Sequence, residues 1–259
     1  MNSKKRFGQN FLIDPGIAMK MVELSGLKPD ETVLEIGSGK GILTQALLDK
    51  GAKIISFEID RDLFEFLKKT FPSQRVKFIF KDFISFDETV EVDRCISNIP
   101  YNISTPIIKK LFDTGIPSLT LMVQKEYALR LLARPKTKAY NSLSIFVQVR
   151  ADVERLFDVN RGSFFPSPRV DSTVIKITRS DRLTKEIMDM ELFDRIVKAS
   201  FAQKRKMIKN NLKSIENSEE ILKVLKIPSD SRAEEIGIEK FIELSNFIHQ
   251  KSSPDLHGE

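Results

Sequence analysis

Thr32-Val33-Leu34-Glu35-Ile36-Gly37-Ser38-Gly39-Lys40-Gly41 is the stretch that decides the fold. A short apolar strand runs into glycines at alternate positions, and Ile42 to Lys50 continues with helical spacing. Strand, glycine turn and helix open a nucleotide-binding α/β unit, because glycines let the backbone approach a ligand at the carboxyl end of a parallel sheet. Working outward, a second strand from Lys53 to Phe57 ends at Glu58. That acid stands about 20 residues beyond the glycines, where it can hold a ribose diol. A helix from Arg61 to Phe71, a strand from Val76 to Phe80 and the pair Asp82-Phe83 follow, with Asp82 placed to accept from an adenine amine and Phe83 to cover its ring. Taken singly, the glycines make an ordinary tight turn and either acid caps a helix. Three strand ends with a polar residue at the same relative place imply a cofactor crevice. The spacing Gly-x-Gly-x-Gly, rather than Gly-x-Gly-x-x-Gly, counts against a nicotinamide-dependent dehydrogenase.

A fourth strand end lies at Asn98-Ile99-Pro100-Tyr101, after the apolar run Val92 to Ser97 and before a helix from Thr105 to Asp113. A carboxamide, a proline and an aromatic ring there offer hydrogen bonds and a stacking face to a flat, polar ring such as adenine. The exocyclic amine of adenine is a poor nucleophile because its lone pair is delocalised. Acceptors on its two hydrogens, the Asn98 carboxamide oxygen and the Pro100 or Ile99 carbonyl, favour a pyramidal nitrogen aimed at an electrophile. Tyr101 would hold the ring by stacking. The bland alternative is a strand-to-helix turn in which Asn caps, Pro stiffens and Tyr packs.

The 259 residues suffice for one large domain or a domain with an appendage. Lys and Arg number 42 against 36 acids, a net charge of +6 that matters chiefly where it is clustered. Cys95 is the only cysteine and reads as a buried thiol; His249 and His257 are the only histidines, so no metal cluster or Ser/His/Asp constellation is expected. The opening residues lack the apolar core of a signal peptide and no run reaches membrane-spanning length, so no membrane association and a cytosolic location are expected. The basic arm Lys4-Lys5-Arg6, followed by amides between Phe7 and Phe11, reads as a segment folding over a ligand. Asp14-Pro15 starts a helix.

Beyond the fourth strand come a strand from Ser118 to Val123, a helix from about Lys125 to Leu132 and a loop with Pro135, Lys136 and Lys138. Ser142 to Val149 and Asp152 to Val159 fit helix or strand. Arg161 to Arg169 is a proline-broken loop in which Phe164 offers a second stacking face opposite Tyr101, or else an aromatic plug. Val170 to Ile177 alternates as a strand. From about Ser180 only helical spacing remains, which predicts an α/β domain over residues 1–179, with its arm at 1–14, and a small all-α domain over 180–259. Its first long helix, with helical spacing over Leu192 to Leu212, carries Lys198, Lys204, Arg205, Lys206 and Lys209, and with Lys213 just after it forms a candidate phosphate-binding surface. A last helix spans about Ile238 to His249, and Ser252 onward reads as tail.

Gln9-Asn10-Phe11-Leu12, Glu35 to Gly39, Glu58, Asp82, Asn98 to Ser104 and Phe164 to Ser172 together resemble the KsgA/Dim family of small-subunit rRNA adenine dimethyltransferases, over essentially the whole chain. The resemblance implies a Rossmann-like class I S-adenosylmethionine-dependent methyltransferase domain followed by a small helical one. It also implies dimethylation of two adjacent adenosines near the 3′ end of small-subunit rRNA, within a pre-ribosomal particle, and no metal. By position Asn10, Leu12, Gly37, Glu58, Asp82 and Asn98 would contact the methyl donor, while Asn98, Pro100, Tyr101 and Phe164 would hold the target base. Ser38 replaces a proline common in the family, and Gly41 falls where variation is common and is not expected to be essential. With no heptad pattern or apolar stripe, a monomer is expected. Competing readings are the large-subunit methyltransferases of macrolide resistance, a DNA adenine methyltransferase, and a ribosome-assembly factor without methyl transfer.

Overall fold

The computed structural model describes residues 10–252, so the expectations for Lys4-Lys5-Arg6, Phe7 and Gln9 lie outside the described residues. The chain divides into two compact units. The first holds the chain up to Ala128 together with Glu154–Arg179, and the second holds Leu129–Val153 together with the chain from Ser180. The expected division into 1–179 and 180–259 is therefore corrected, since an internal excursion, Leu129–Val153, packs with the helical unit. Tyr140, Ile145 and Val149 are the reason: these apolar side chains are buried in the core formed by Phe193, Leu222 and Phe241.

The first unit begins with β1 (Phe11–Leu12) and α1 (Pro15–Ser25), whose first turn is capped by Asp14, accepting from Gly16 N at 2.9 Å. Then follow β2 (Thr32–Ile36), α2 (Ile42–Asp49), β3 (Lys53–Glu58), α3 (Arg61–Thr70), β4 (Val76–Phe80), β5 (Arg94–Asn98), α4 (Ser104–Asp113), β6 (Ser118–Gln124) and α5 (Lys125–Leu131). The apolar run that fits either period is α6 (Ser142–Arg150), settled by the Asn141 side chain, which accepts from Leu143 N at 2.8 Å while Asn141 N donates to Ser144 Oγ. After it come β7 (Ala151–Val159), β8 (Phe164–Phe165) and β9 (Ser172–Arg179).

The main sheet has the order β4-β3-β2-β5-β6-β9-β7. β2 pairs in parallel with both β3 and β5, and β9 runs antiparallel to β6. Central strands covered on both faces are mostly apolar, as Val33, Leu34, Cys95 and Ile96 are. The chain steps outward from β2 to β4 and then crosses back to place β5 on the other side of β2. That reversal opens a crevice at the carboxyl ends of β2 and β5. A separate ribbon pairs Phe11 with Phe165 and Leu12 with Phe164, tying the entry segment to the proline loop.

Besides α6, the second unit contains α7 (Met190–Ser200), α8 (Ile208–Asn211), α9 (Ser218–Val224) and α10 (Ile238–Ser252), the last extending beyond the expected end at His249. Leu192 to Leu212 is not one helix. α7 stops at Ser200, and the Asn211 carboxamide donates to the carbonyls of Ser200 and Gln203, which a continuing helix would have bonded itself. Phe201 packs on Tyr140 and Phe241 with ring centroids 6.0 Å from each. Lys204, Arg205 and Lys206 therefore sit on a turn segment, where Lys204 Nζ donates to Lys138 O at 2.7 Å.

Gly41 is the other correction. Its φ is +81°, and a Cβ there would lie 2.3 Å from Phe71 Cε2 and 3.2 Å from Leu67 Cδ2. Position 41 thus has no room for a side chain as Phe71 and Leu67 are packed. Gly41→Ala is expected to lower stability by about 1–3 kcal/mol from the backbone conformation alone, with the clash added. A urea midpoint that falls with an unchanged m value is the measurement.

Candidate active site

Below the crevice a hydroxyl group takes over from the backbone ladder between β2 and β5. The β2–β5 ladder pairs Val33 with Arg94 and Leu34 with Cys95. Beyond it the Ser97 hydroxyl accepts from Ile36 N at 3.0 Å and donates to Ile36 O at 2.8 Å. A side chain thus replaces the backbone partner, so the strand ends stay satisfied while they diverge. The cavity that results, about 300 Å³, is of the size of small-molecule sites, which begin near 300 Å³. Asn10, Leu12, Gly37, Glu58, Asp82, Asn98, Pro100 and Tyr101 all line it. Eight of the nine expected site residues thus line the cavity; Phe164, the ninth, is not in its wall.

Each residue has its local reason. Glu58 ends β3, is 3% exposed, and accepts from Ile59 N and Asp60 N at 2.9 Å and from Gly39 N at 3.1 Å. These bonds lock the glycine turn to β3 and leave the carboxylate part of its acceptor capacity. Burial raises the Glu58 pKa, while the backbone donors act against that rise. Asp82 Oδ1 accepts from Ile84 N at 3.0 Å, and Phe83 is held edge-on against Phe57 with centroids 5.3 Å apart. The Phe11 ring roofs the turn, so close that a Cβ on Gly39 would lie 3.0 Å from it.

Asn98 ends β5 with its Oδ1 buried and without a hydrogen-bond partner among the described residues. An unmatched buried acceptor costs about 1–3 kcal/mol, a cost expected where the partner comes from a ligand. The Pro100 carbonyl accepts from Ile103 N at 3.3 Å and Ser104 Oγ at 3.2 Å, both long. Tyr101 is fixed through its hydroxyl, 2.5 Å from Ser172 Oγ, and burial raises its pKa. Phe164 is 2% exposed, and its ring meets Tyr101 edge-on, with centroids 6.5 Å apart and planes at 69°. The expected pair of opposed stacking faces is corrected: Phe164 packs in the core and buttresses Tyr101.

The family profile described as ribosomal RNA adenine dimethylase matches residues 1–250. The chain belongs to that family. It is 38% identical over 280 residues to the ribosomal RNA small subunit methyltransferase A of Lactobacillus johnsonii, covering 98% of this chain and 93% of that protein. A crystal structure of a dimethyladenosine transferase from Plasmodium falciparum superposes with a TM-score of 0.83 at 28% identity, covering 93% of this chain and 98% of that one. The 23S rRNA methyltransferase ErmE shares the fold, with a TM-score of 0.71, 24% identity and coverage of 93% and 100%. As a member of the ribosomal RNA adenine dimethylase family, the protein is an S-adenosylmethionine-dependent methyltransferase with a Rossmann-like core and a smaller helical part.

One group in this family member's crevice had no role in the reading of the sequence. Glu35 is 1% exposed, lines the cavity, and accepts from Thr44 Oγ1 at 2.8 Å and Ser56 Oγ at 3.1 Å, while its Oε1 is buried without a partner among the described residues. The signal was a charged residue inside an otherwise apolar strand. Ser38 continues the network through a hydroxyl bond to Ser56. Burial foremost, with the Glu58 charge adding, pushes the Glu35 carboxyl up to about 7, against the hydroxyl donors. Between pH 4.5 and about 7 the folded protein keeps a proton that the unfolded chain has released, so stability falls as pH rises through that window. Glu35→Gln is expected to flatten this dependence and to exceed wild-type stability above pH 7, by at most about 3 kcal/mol. Urea unfolding from pH 5 to 8 reads it, and parallel curves for the two proteins would contradict the assignment.

Proposed function

We propose that the crevice holds S-adenosylmethionine, with Glu58 on its ribose, Asp82 on its adenine amine, and Asn10, Leu12, Gly37 and Asn98 along the rest. The residues fit such a molecule: a buried carboxylate beside a glycine turn, an acid at the next strand end, and an unmatched carboxamide oxygen. S-adenosylmethionine supplies a methyl group on a sulfonium that carries its own leaving group. The protein methylates the exocyclic amines of two adjacent adenosines near the 3′ end of small-subunit rRNA, giving dimethyladenosines.

In this reading Asn98 Oδ1 accepts one hydrogen of the amine and a carbonyl of the turn, at Ile99 or Pro100, accepts the other. Both acceptors favour the pyramidal nitrogen that attack requires, and alignment provides most of the acceleration. Tyr101, anchored by Ser172 and backed by Phe164, supplies a stacking face for the base. Stacking makes up for pairing lost when the base leaves its strand. The partner is rRNA within a pre-ribosomal small subunit, met by a cytosolic monomer. The single observation that carries the reading is the buried, unpartnered Asn98 Oδ1 at the switch point of the sheet.

The test is incubation of the protein and labelled S-adenosylmethionine with undermethylated small subunits, large subunits, naked rRNA and duplex DNA, followed by nucleoside analysis. Dimethyladenosine is expected with small subunits alone. Binding without label anywhere would favour an assembly factor instead. Asn98→Ala is expected to lower kcat at least about 100-fold while particle binding survives; full activity would sink its assigned role. Replacing Lys204, Arg205 and Lys206 with Glu should weaken particle binding and flatten its salt dependence by about one unit of slope for each lost phosphate contact. An unchanged slope returns that turn to a solvated surface.

A further inference from the structure

We infer that the exposed ring of Phe165 is a stacking surface for the nucleotide next to the target adenine, with Lys40 beside it to meet that nucleotide's phosphate. The inference rests on the proposed function, since it presumes an RNA strand entering the crevice. Phe165 is 63% exposed, while Phe164 before it is 2% exposed. A lone exposed phenylalanine needs no explanation. This one is held in place by the β1–β8 ribbon, directly opposite Phe11, which roofs the glycine turn. Lys40 Nζ lies 5.9 Å from the Phe165 ring centre and 5.5 Å from that of Phe11. Phe11 and Lys40 line the cavity, so the Phe165 ring lies at its rim.

Chemistry narrows the occupant. An exposed aromatic face with a cation at its edge suits a base and its phosphate, because every base has a π-face and the ammonium meets the backbone charge. Arg161 and Arg169 in the same loop are also exposed. Phe164 carries the chain from the core side of Tyr101 to this rim in one residue, as a strand must when successive side chains point to opposite faces. Two neighbouring bases would then rest on two neighbouring parts of one loop, the target beside Tyr101 and its neighbour on Phe165. Such a surface serves substrates in which the adenines are adjacent, and the Phe165 ring itself stands outside the wall of the donor cavity.

The experiment compares the full-length protein with Phe165→Ala, Phe165→Tyr and Lys40→Gln, reading donor affinity by calorimetry and kcat and KM on undermethylated small subunits at several salt concentrations. Phe165→Ala is expected to raise KM roughly 10-fold, with kcat and donor affinity near wild type, and Phe165→Tyr to restore KM. Lys40→Gln should reduce the salt slope by about one. An unmoved KM in Phe165→Ala would overturn the inference, as would a loss accompanied by weakened donor binding that tyrosine fails to restore. Absence of label with the wild-type protein would bring down the proposed function and this inference with it. Wild-type labelling with an unmoved KM in Phe165→Ala brings down the inference alone.

Discussion

The Ser97 hydroxyl, bonded to both the amide and the carbonyl of Ile36, is the contact on which the rest of the first unit depends. The reversal of strand order beside β2 separates the loops that follow β2 and β5. Here the pairing gives way to a side chain two residues early, and the glycine turn and the Asn98 turn diverge without orphaning a backbone group. Everything that makes a ligand site follows from that gap. Glu58 fastens the turn on one side, and Ser172 fastens Tyr101 on the other.

The crevice is also a place where polar groups are kept short of partners. Glu35 Oε1 and Asn98 Oδ1 are both buried and unmatched, and Glu35 is held near neutrality by its surroundings. A core optimised for stability alone would contain neither. Around them the packing is dense and apolar, with Leu34, Phe57 and Ile96 almost wholly buried. The fold tolerates a few kcal/mol of local disadvantage at one end of its sheet because the remainder is so completely covered.

Much of this was legible in the chain because the decisive signals are local. The order of strand, glycine turn and helix, the acids at Glu58 and Asp82, and the Asn98 to Tyr101 turn each lie within a few residues, and the crevice unites them as expected. The misses depend on contacts distant in sequence. Helical spacing continues past Ser200, but the carboxamide of Asn211 and the docking of Phe201 end the helix there. The boundary at Leu129–Val153 depends on which core Tyr140 joins, which no spacing reveals. Phe164 was expected to present a face and instead presents an edge, since the ribbon with Leu12 turns it inward. Gly41 looked dispensable until Phe71 was seen beside it.

Cys95 carries a consequence of its own. It is the only cysteine of the sequence, has no exposed surface, and lies in β5, with a pKa raised by burial. Its thiolate is therefore available only in molecules whose central strand has parted from β2 or β6. A thiol-reactive dye would be taken up only through those openings, leaving motions of the rim loops unrecorded. The protein thus contains a natural reporter for the opening of its innermost strand, the same strand that ends at Asn98.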